Sequence, residues 1–220
     1  MEGGNAAAEL LCGVGSPSGK LSDTFAKKLE DYPSSETFHE SVKYVDYKED
    51  IYVGYRYFET IPGADKAVNY PFGYGLSYTT FECALVSAEE KQGVIRVRVN
   101  VTNTGKYPGK EVMQLYAQAP QGVLGKAKRV LAAFEKTRLL AQGETQLLTL
   151  EAPVAQLASY DDLGKIQKSA YVLEKGKYQF YLGTSVRETE QVFCFTMPED
   201  TVTEQLTAKL VPTSLVERML

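Results

Sequence analysis

From residue 81 to residue 197 one pattern recurs: short runs of β-forming residues, alternating apolar and polar, broken by turn formers about every ten positions. A helix buries every third or fourth side chain and has no use for such a pattern, whereas a strand with one face on a core requires it. The run VIRVRVNVT, 94 to 102, shows it without a break. Ile95, Val97, Val99 and Val101 take one face, and Arg96, Arg98 and Asn100 take the other. Further strands are predicted at 81–88, 111–118, 129–140, 145–153, 177–185 and 189–197, separated by turns such as NTGKYPG, AQGE and LEKG.

Seven strands in about 115 residues fit one two-sheet sandwich. The predicted fold class is therefore mainly β: a seven-stranded immunoglobulin or fibronectin type III-like sandwich over 83–197, preceded by an incomplete α/β segment. That segment covers 1–60, where NAAAELLC reads as a helix capped by Asn5 and ended by Gly13. LSDTFAKKLEDYP is a short helical or irregular element stopped by Pro33, and IYVGYRYF, 51 to 58, reads as a strand. Residues 61–82 connect the two parts. Residues 198–220 read as a helical tail or linker, with Leu215, Val216, Met219 and Leu220 on one helix face. Both ends of the chain look like cuts through structure.

Composition narrows the function classes. Hydrophobic residues at 44% and charged residues at 24% suit a globular chain with a buried core. A net charge of -4, with 24 scattered Lys and Arg, argues against a nucleic-acid partner. No apolar run reaches the length of about eighteen residues that a membrane span needs. MEGGNAAAEL carries Glu2 and Glu9 where a secretory signal would be basic, so the expected location is cytoplasmic.

Few residues here carry chemistry. Cys12, Cys83 and Cys194 are odd in number and far apart, so they are expected as small buried hydrophobes and not as a disulfide framework or metal site. His39 has only Glu40 beside it and reads as a surface loop residue. Asp46, Glu49 and Asp50 lack EF-hand spacing and read as a solvated face or as partners for Arg56. Tyr55, Arg56 and Tyr57 could form a sugar platform, but burial in a domain interface suits them better. GVGSPSGKL has Val14 and Leu21 where a phosphate loop needs Gly and then Ser or Thr. Asn100-Val101-Thr102 matches a glycosylation acceptor but lies in mid-strand. The expectation is no catalytic residue, no metal ligand set and no cofactor site, with substrate-binding residues unassigned.

In order along the chain, EGGNAAAELLCG, SPSGKL, YKEDIYVGYRYF, YPFGYGLSYTTF and VNVTNTGKYPGKEVMQLY resemble blocks in the C-terminal half of bacterial β-glucosidases of glycoside hydrolase family 3. The likeness runs over nearly all of residues 2 to 197. Two positions depart from it: Ser16 stands where the family has Asn before Pro-Ser-Gly, and Ser22 where it has Pro. The resemblance implies an enzyme in which a (β/α)8-type barrel, an α/β sandwich and a fibronectin type III-like domain together hydrolyse β-linked glucosides or oligosaccharides with retention. Residues 1 to 60 would then be the tail of the α/β sandwich domain, and 83–197 the fibronectin type III-like domain. Retention needs two carboxyl groups about 5–5.5 Å apart. In the family the nucleophilic Asp belongs to the barrel and the acid/base Glu lies upstream of the EGGNA block, so the resemblance places neither in this chain. A barrel alone takes about 250 residues, more than the 220 here. The implied partners are the missing barrel and α/β domain of the same enzyme. In some members the barrel follows the fibronectin type III-like domain, and a helix at PTSLVERML would then lead towards it.

YPFGYGLSYTTF, 70 to 81, holds five aromatic rings and two glycines but no acid, base or thiol. It reads as a plate that docks the α/β tail to the sandwich, with the glycines allowing tight turns. Residues cut from their sheet should leave apolar surface around Leu10, Leu11, Ile51, Val53 and Tyr55. Two other readings stay open: a free-standing carbohydrate-binding or protein-interaction module, and a split gene product without activity.

Overall fold

The structure, a computed structural model, describes residues 2–45, 47–209 and 211. A long arm comes first, containing helix α1 (Glu2–Leu11), β1 (Phe25–Ala26), helix α2 (Tyr55–Thr60) and β2 (Val68–Tyr70). The body follows as β3 (Phe81–Lys91), β4 (Val94–Asn103), β5 (Val112–Gln118), β6 (Val130–Lys136), β7 (Thr145–Pro153), β8 (Ser159–Asp161), β9 (Ala170–Leu173), β10 (Gly176–Gly183), β11 (Thr189–Met197) and β12 (Thr201–Gln205). The seven strands expected from the alternation are β3 to β7, β10 and β11.

They form two antiparallel sheets, in the orders β3-β4-β7 and β11-β10-β5-β6. This is the fibronectin type III-like sandwich. Ile95, Val97, Val99 and Val101 of β4 have no exposed surface at all. They pack with Leu148, Leu150 and Ala152 of β7 against Met113 and Leu115 of β5 and Tyr178, Phe180 and Leu182 of β10. Cross-strand register explains the match: Val97 sits opposite Leu150, and Val99 opposite Leu148. Each pair presents two apolar side chains to the same face, so a slip of one residue would turn the whole set to water.

Three parts of the structure differ from expectation. First, IYVGYRYF is not a strand. Residues 48–51 form a turn in which Tyr52 N donates to the Glu49 carbonyl at 2.7 Å, Gly54 takes a left-handed φ of 58°, and α2 begins at Tyr55, placing Tyr55 and Phe58, one helical turn apart, in the interior. Aromatic residues favour strands only where a sheet accepts them, and here the rings of Tyr55 and Phe58 are buried from a helix, against Phe72, Tyr116 and Tyr32. Second, residues 201–205, expected to be helical, form β12, whose Thr201 and Val202 pair with Leu173 and Val172. The rest of the expected tail helix, with Leu215, Val216, Met219 and Leu220, lies outside the described residues. Third, Asn5 does not cap α1; it lies inside the helix, where its Nδ2 donates to Glu2 Oε2 at 3.2 Å. Gly13 does close the helix in the left-handed conformation, with φ 73°.

A third sheet, β12-β9-β8, went unread in the sequence. Asp161 closes its β8 end. Its side chain is 1% exposed and accepts hydrogen bonds from the backbone N–H groups of Gly164, Lys165, Ile166 and Gln167, at 2.7 to 3.0 Å. Burial pushes this carboxyl up, but the four N–H donors outweigh it and hold the group below the usual carboxylate range. Its stabilising contribution is therefore complete above the unfolded value of about 3.9 and is lost as pH falls through the lower folded value. Asp161→Ala should cost about 2 kcal/mol at neutral pH, read by urea unfolding. The deficit should shrink in acid, and a deficit that stays constant down to pH of about 2 would sink this account.

Candidate functional site

The arm lies against the outer face of the β11-β10-β5-β6 sheet, and the YPFGYG stretch makes the join. Strand β5 is buried on both faces. Met113, Leu115 and Ala117 face the sandwich core, while Tyr116, on the opposite face, packs with Tyr55 of α2 and Val186, flanked by Phe72. Phe72 stacks on Tyr55 with ring centroids 4.4 Å apart, and Tyr116 meets both rings edge-on at 6.3 and 6.5 Å. Burial pushes the Tyr116 phenol far above its ordinary value.

The buried Gln114 and Tyr116 side chains are satisfied across this join, as burial demands. Gln114 Nε2 donates to the carbonyls of Gly73 at 3.2 Å and Thr184 at 2.6 Å. The Tyr116 hydroxyl donates to Gln114 Oε1. Leu131 N donates to the Tyr55 hydroxyl at 2.9 Å, and Val186 N to the Phe72 carbonyl at 3.0 Å. Lys20 pairs with Glu111 at 2.8 Å, and Arg187 with Glu59 at 2.7 Å, each bridging arm and sandwich. Gly73 has a φ of 81°, and a Cβ there would strike the Gln114 carboxamide. The glycine is required by conformation and by space alike.

Not all of the arm is docked. No residue of α1 is buried, and Leu11 remains 85% exposed. Ile51 and Val53 are exposed as expected, but Tyr55 is not: its ring lies between Phe72 and Tyr116. The apolar surface is therefore real but begins outside the join. Near α1 the Tyr78 hydroxyl donates to the Leu10 carbonyl at 2.9 Å, and Tyr78 N donates to the Ser16 hydroxyl at 3.0 Å.

Beside the join, the arm, the segment before β6 and the third sheet enclose a cleft of about 520 Å³. Arg56 of α2 and Asp50 enter from the arm; Gln156, Ser159, Tyr160 and Tyr171 line the opposite wall. Tyr160 and Tyr171 are directly opposed cross-strand residues with ring centroids 5.4 Å apart. Lys126 lines the floor and forms a contact ion pair with Glu174, the two side chains being 6% and 5% exposed.

The structure scatters most of the other candidates. Asp46 lies outside the described residues, so the Asp46, Glu49 and Asp50 group is only partly seen. Asp50 and Arg56 line the same cleft without forming an ion pair. Tyr55 and Arg56 part company, one in the join and one in the cleft. His39 is exposed and touches Phe38 edge-on at 4.8 Å. The cysteines are a correction: Cys12, Cys83 and Cys194 are all free and exposed. Cys12 follows the unpacked α1, and Cys83 and Cys194 lie on the edge strands β3 and β11; Cys83, though its residue is exposed, still sets its sulfur 3.4 Å from that of the buried Met113. Among the described residues, no three His, Cys, Asp or Glu side chains gather as a metal-holding group, and no helix is long and apolar enough to cross a membrane. Sequence reasoning missed Gln114 and Tyr116, although EVMQLYAQ carried their signal in its polar alternate positions. It also missed Tyr160 and Tyr171, which no spacing pattern marks.

Comparison with known proteins accounts for both halves. Residues 1–78 match the glycosyl hydrolase family 3 C-terminal domain, and residues 111–186 match the fibronectin type III-like domain. β-Glucosidase A of Butyrivibrio fibrisolvens is 57% identical, the match spanning 100% of this chain and 28% of that protein. A β-glucosidase of Ruminococcus albus is 47% identical over 100% of this chain and 23% of its own length. The crystal structure of a β-glucosidase from Paenibacillus barengoltzii superposes with a TM-score of 0.92 at 51% identity, over 96% of this chain and 24% of that one. β-Glucosidase 3B from Thermotoga neapolitana, solved in complex with α-D-glucose, gives a TM-score of 0.82 at 40% identity, over 92% of this chain and 28% of that one. The chain thus spans about a quarter of the length of these relatives. By family match, by identity and by fold, it belongs to glycoside hydrolase family 3 and corresponds to the C-terminal portion of that family's β-glucosidases.

Proposed function

We propose that this chain supplies the C-terminal scaffold of a retaining β-glucosidase, presenting its arm to the rest of the enzyme while both catalytic carboxyl groups come from outside these 220 residues. The observation that carries this reading is the division of the arm. One part is locked to the sandwich through Tyr55, Phe72, Gly73 and Gln114, while α1 stands with no buried residue. A helix of alanines and leucines with no buried side chain needs another surface to cover its apolar side. The complete enzyme would act on β-linked glucosides or oligosaccharides, in keeping with the relatives named above.

The cleft does not supply the missing chemistry. It is lined by two carboxylates, Asp50 and Asp162, but both are exposed. Neither sits in the apolar, water-excluding surround that tunes a glycosidase acid/base. The chain on its own should release no p-nitrophenol from p-nitrophenyl β-glucoside. A rate that persists through purification and is abolished by Asp50→Asn or Asp162→Asn would overturn the assignment of both carboxyls elsewhere.

A further inference from the structure

We infer that the cleft between the arm and the third sheet is a non-catalytic binding site for a neutral oligosaccharide, with Tyr160 and Tyr171 as its platform and Arg56 as its polar clamp. The proposal does not rest on the hydrolase reading: binding without turnover satisfies both.

Three observations converge. The cleft, at about 520 Å³, falls within the range of about 300–1,000 Å³ usual for small-ligand sites. Its two tyrosines are open at the cleft. Tyr160 and Tyr171 keep 41% and 38% of their surface open, a share that Tyr70 and Tyr78 of the arm match, but the cleft's two are paired across neighbouring strands at its wall. The pair presents ring surface to the cleft. Finally, Arg56 is partly buried at the cleft, and among the described residues its guanidinium has no hydrogen-bond or ion-pair partner, although it carries five donors.

The lining chemistry selects the ligand class. Arg56 and Asp50 place opposite charges at the same opening, which disfavours a ligand with strong net charge of either sign. Gln156 and Ser159 add uncharged donors and acceptors. Aromatic faces beside planar polar groups match a molecule with C–H surfaces on its faces and hydroxyls at its edges, which is a sugar ring. A β-1,4-linked chain is flat and extended, so successive rings can lie across two neighbouring tyrosines.

Titration of the full chain with cellotetraose, followed by NMR, tests this. Saturable shifts with a Kd of about 1 mM are expected. Tyr160→Ala/Tyr171→Ala should bind about tenfold more weakly, while Tyr171→Phe, which keeps the ring, should bind as the parent does. Arg56→Met lies on a separate element and should weaken binding about fivefold without disturbing the small sheet. It decides the matter if the double tyrosine variant unfolds. No saturation up to about 10 mM, or full affinity in Arg56→Met or in a folded tyrosine double variant, overturns the proposal.

Discussion

Lys126→Met is expected to destabilise the chain by about 3–5 kcal/mol, measured by urea unfolding followed by circular dichroism. Lys126 and Glu174 form a contact ion pair, with side chains 6% and 5% exposed. Removing the cation leaves a carboxylate buried beside Gly122, whose missing side chain is what makes room for it. Among the described residues the Glu174 carboxylate has one other hydrogen bond, Val123 N donating to its Oε1 at 2.7 Å, which cannot balance a full charge taken from water. Lys126→Met/Glu174→Leu should recover most of the loss, because it removes the desolvation cost together with the attraction. A single variant within about 1 kcal/mol of the parent would show that water reaches the pair.

Gly73→Ala should release the arm without melting the sandwich. The new side chain must adopt a φ near 81°, at a cost of about 1–2 kcal/mol, and it displaces the Gln114 carboxamide. Gln114 then loses its bond to the Gly73 carbonyl, and the Tyr116 hydroxyl loses its acceptor. An unpaired buried group costs about 1–3 kcal/mol more. With about 3 kcal/mol removed from the join, amides of 52–74 should exchange about a hundredfold faster in hydrogen-exchange measurements. Amides of β4 and β10 should keep their protection. Equal acceleration in both regions would mean that arm and sandwich unfold as one unit, and the join would not be a separable docking surface.

The two variants probe features of different legibility. Alternation along β4 is a local property: whether Val97 and Val99 point inward follows from the two-residue period once one face has a core. The sandwich strands could therefore be placed from residues alone, and so could the glycine-rich turn at Gly73 and Gly75. The order of residue blocks from EGGNAAAELLCG to EVMQLY likewise pointed to the family, because those blocks are long and specific.

What could not be read from the residues depends on neighbours distant in the chain. Tyr55 and Phe72 are seventeen positions apart and Tyr116 is farther still; nothing local says that their rings will share one site. IYVGYRYF has strand-forming residues but turns helical, since a left-handed Gly54 and burial of Tyr55 with Phe58 outweigh propensities worth about 1 kcal/mol or less. Tyr160 and Tyr171 became a pair only when β8 met β9, and Arg56 faced them only when the arm folded over the sheet. Periodicity along the backbone is written in the chain; meetings between separate segments are settled by which surfaces can be buried together, and that requires the whole molecule.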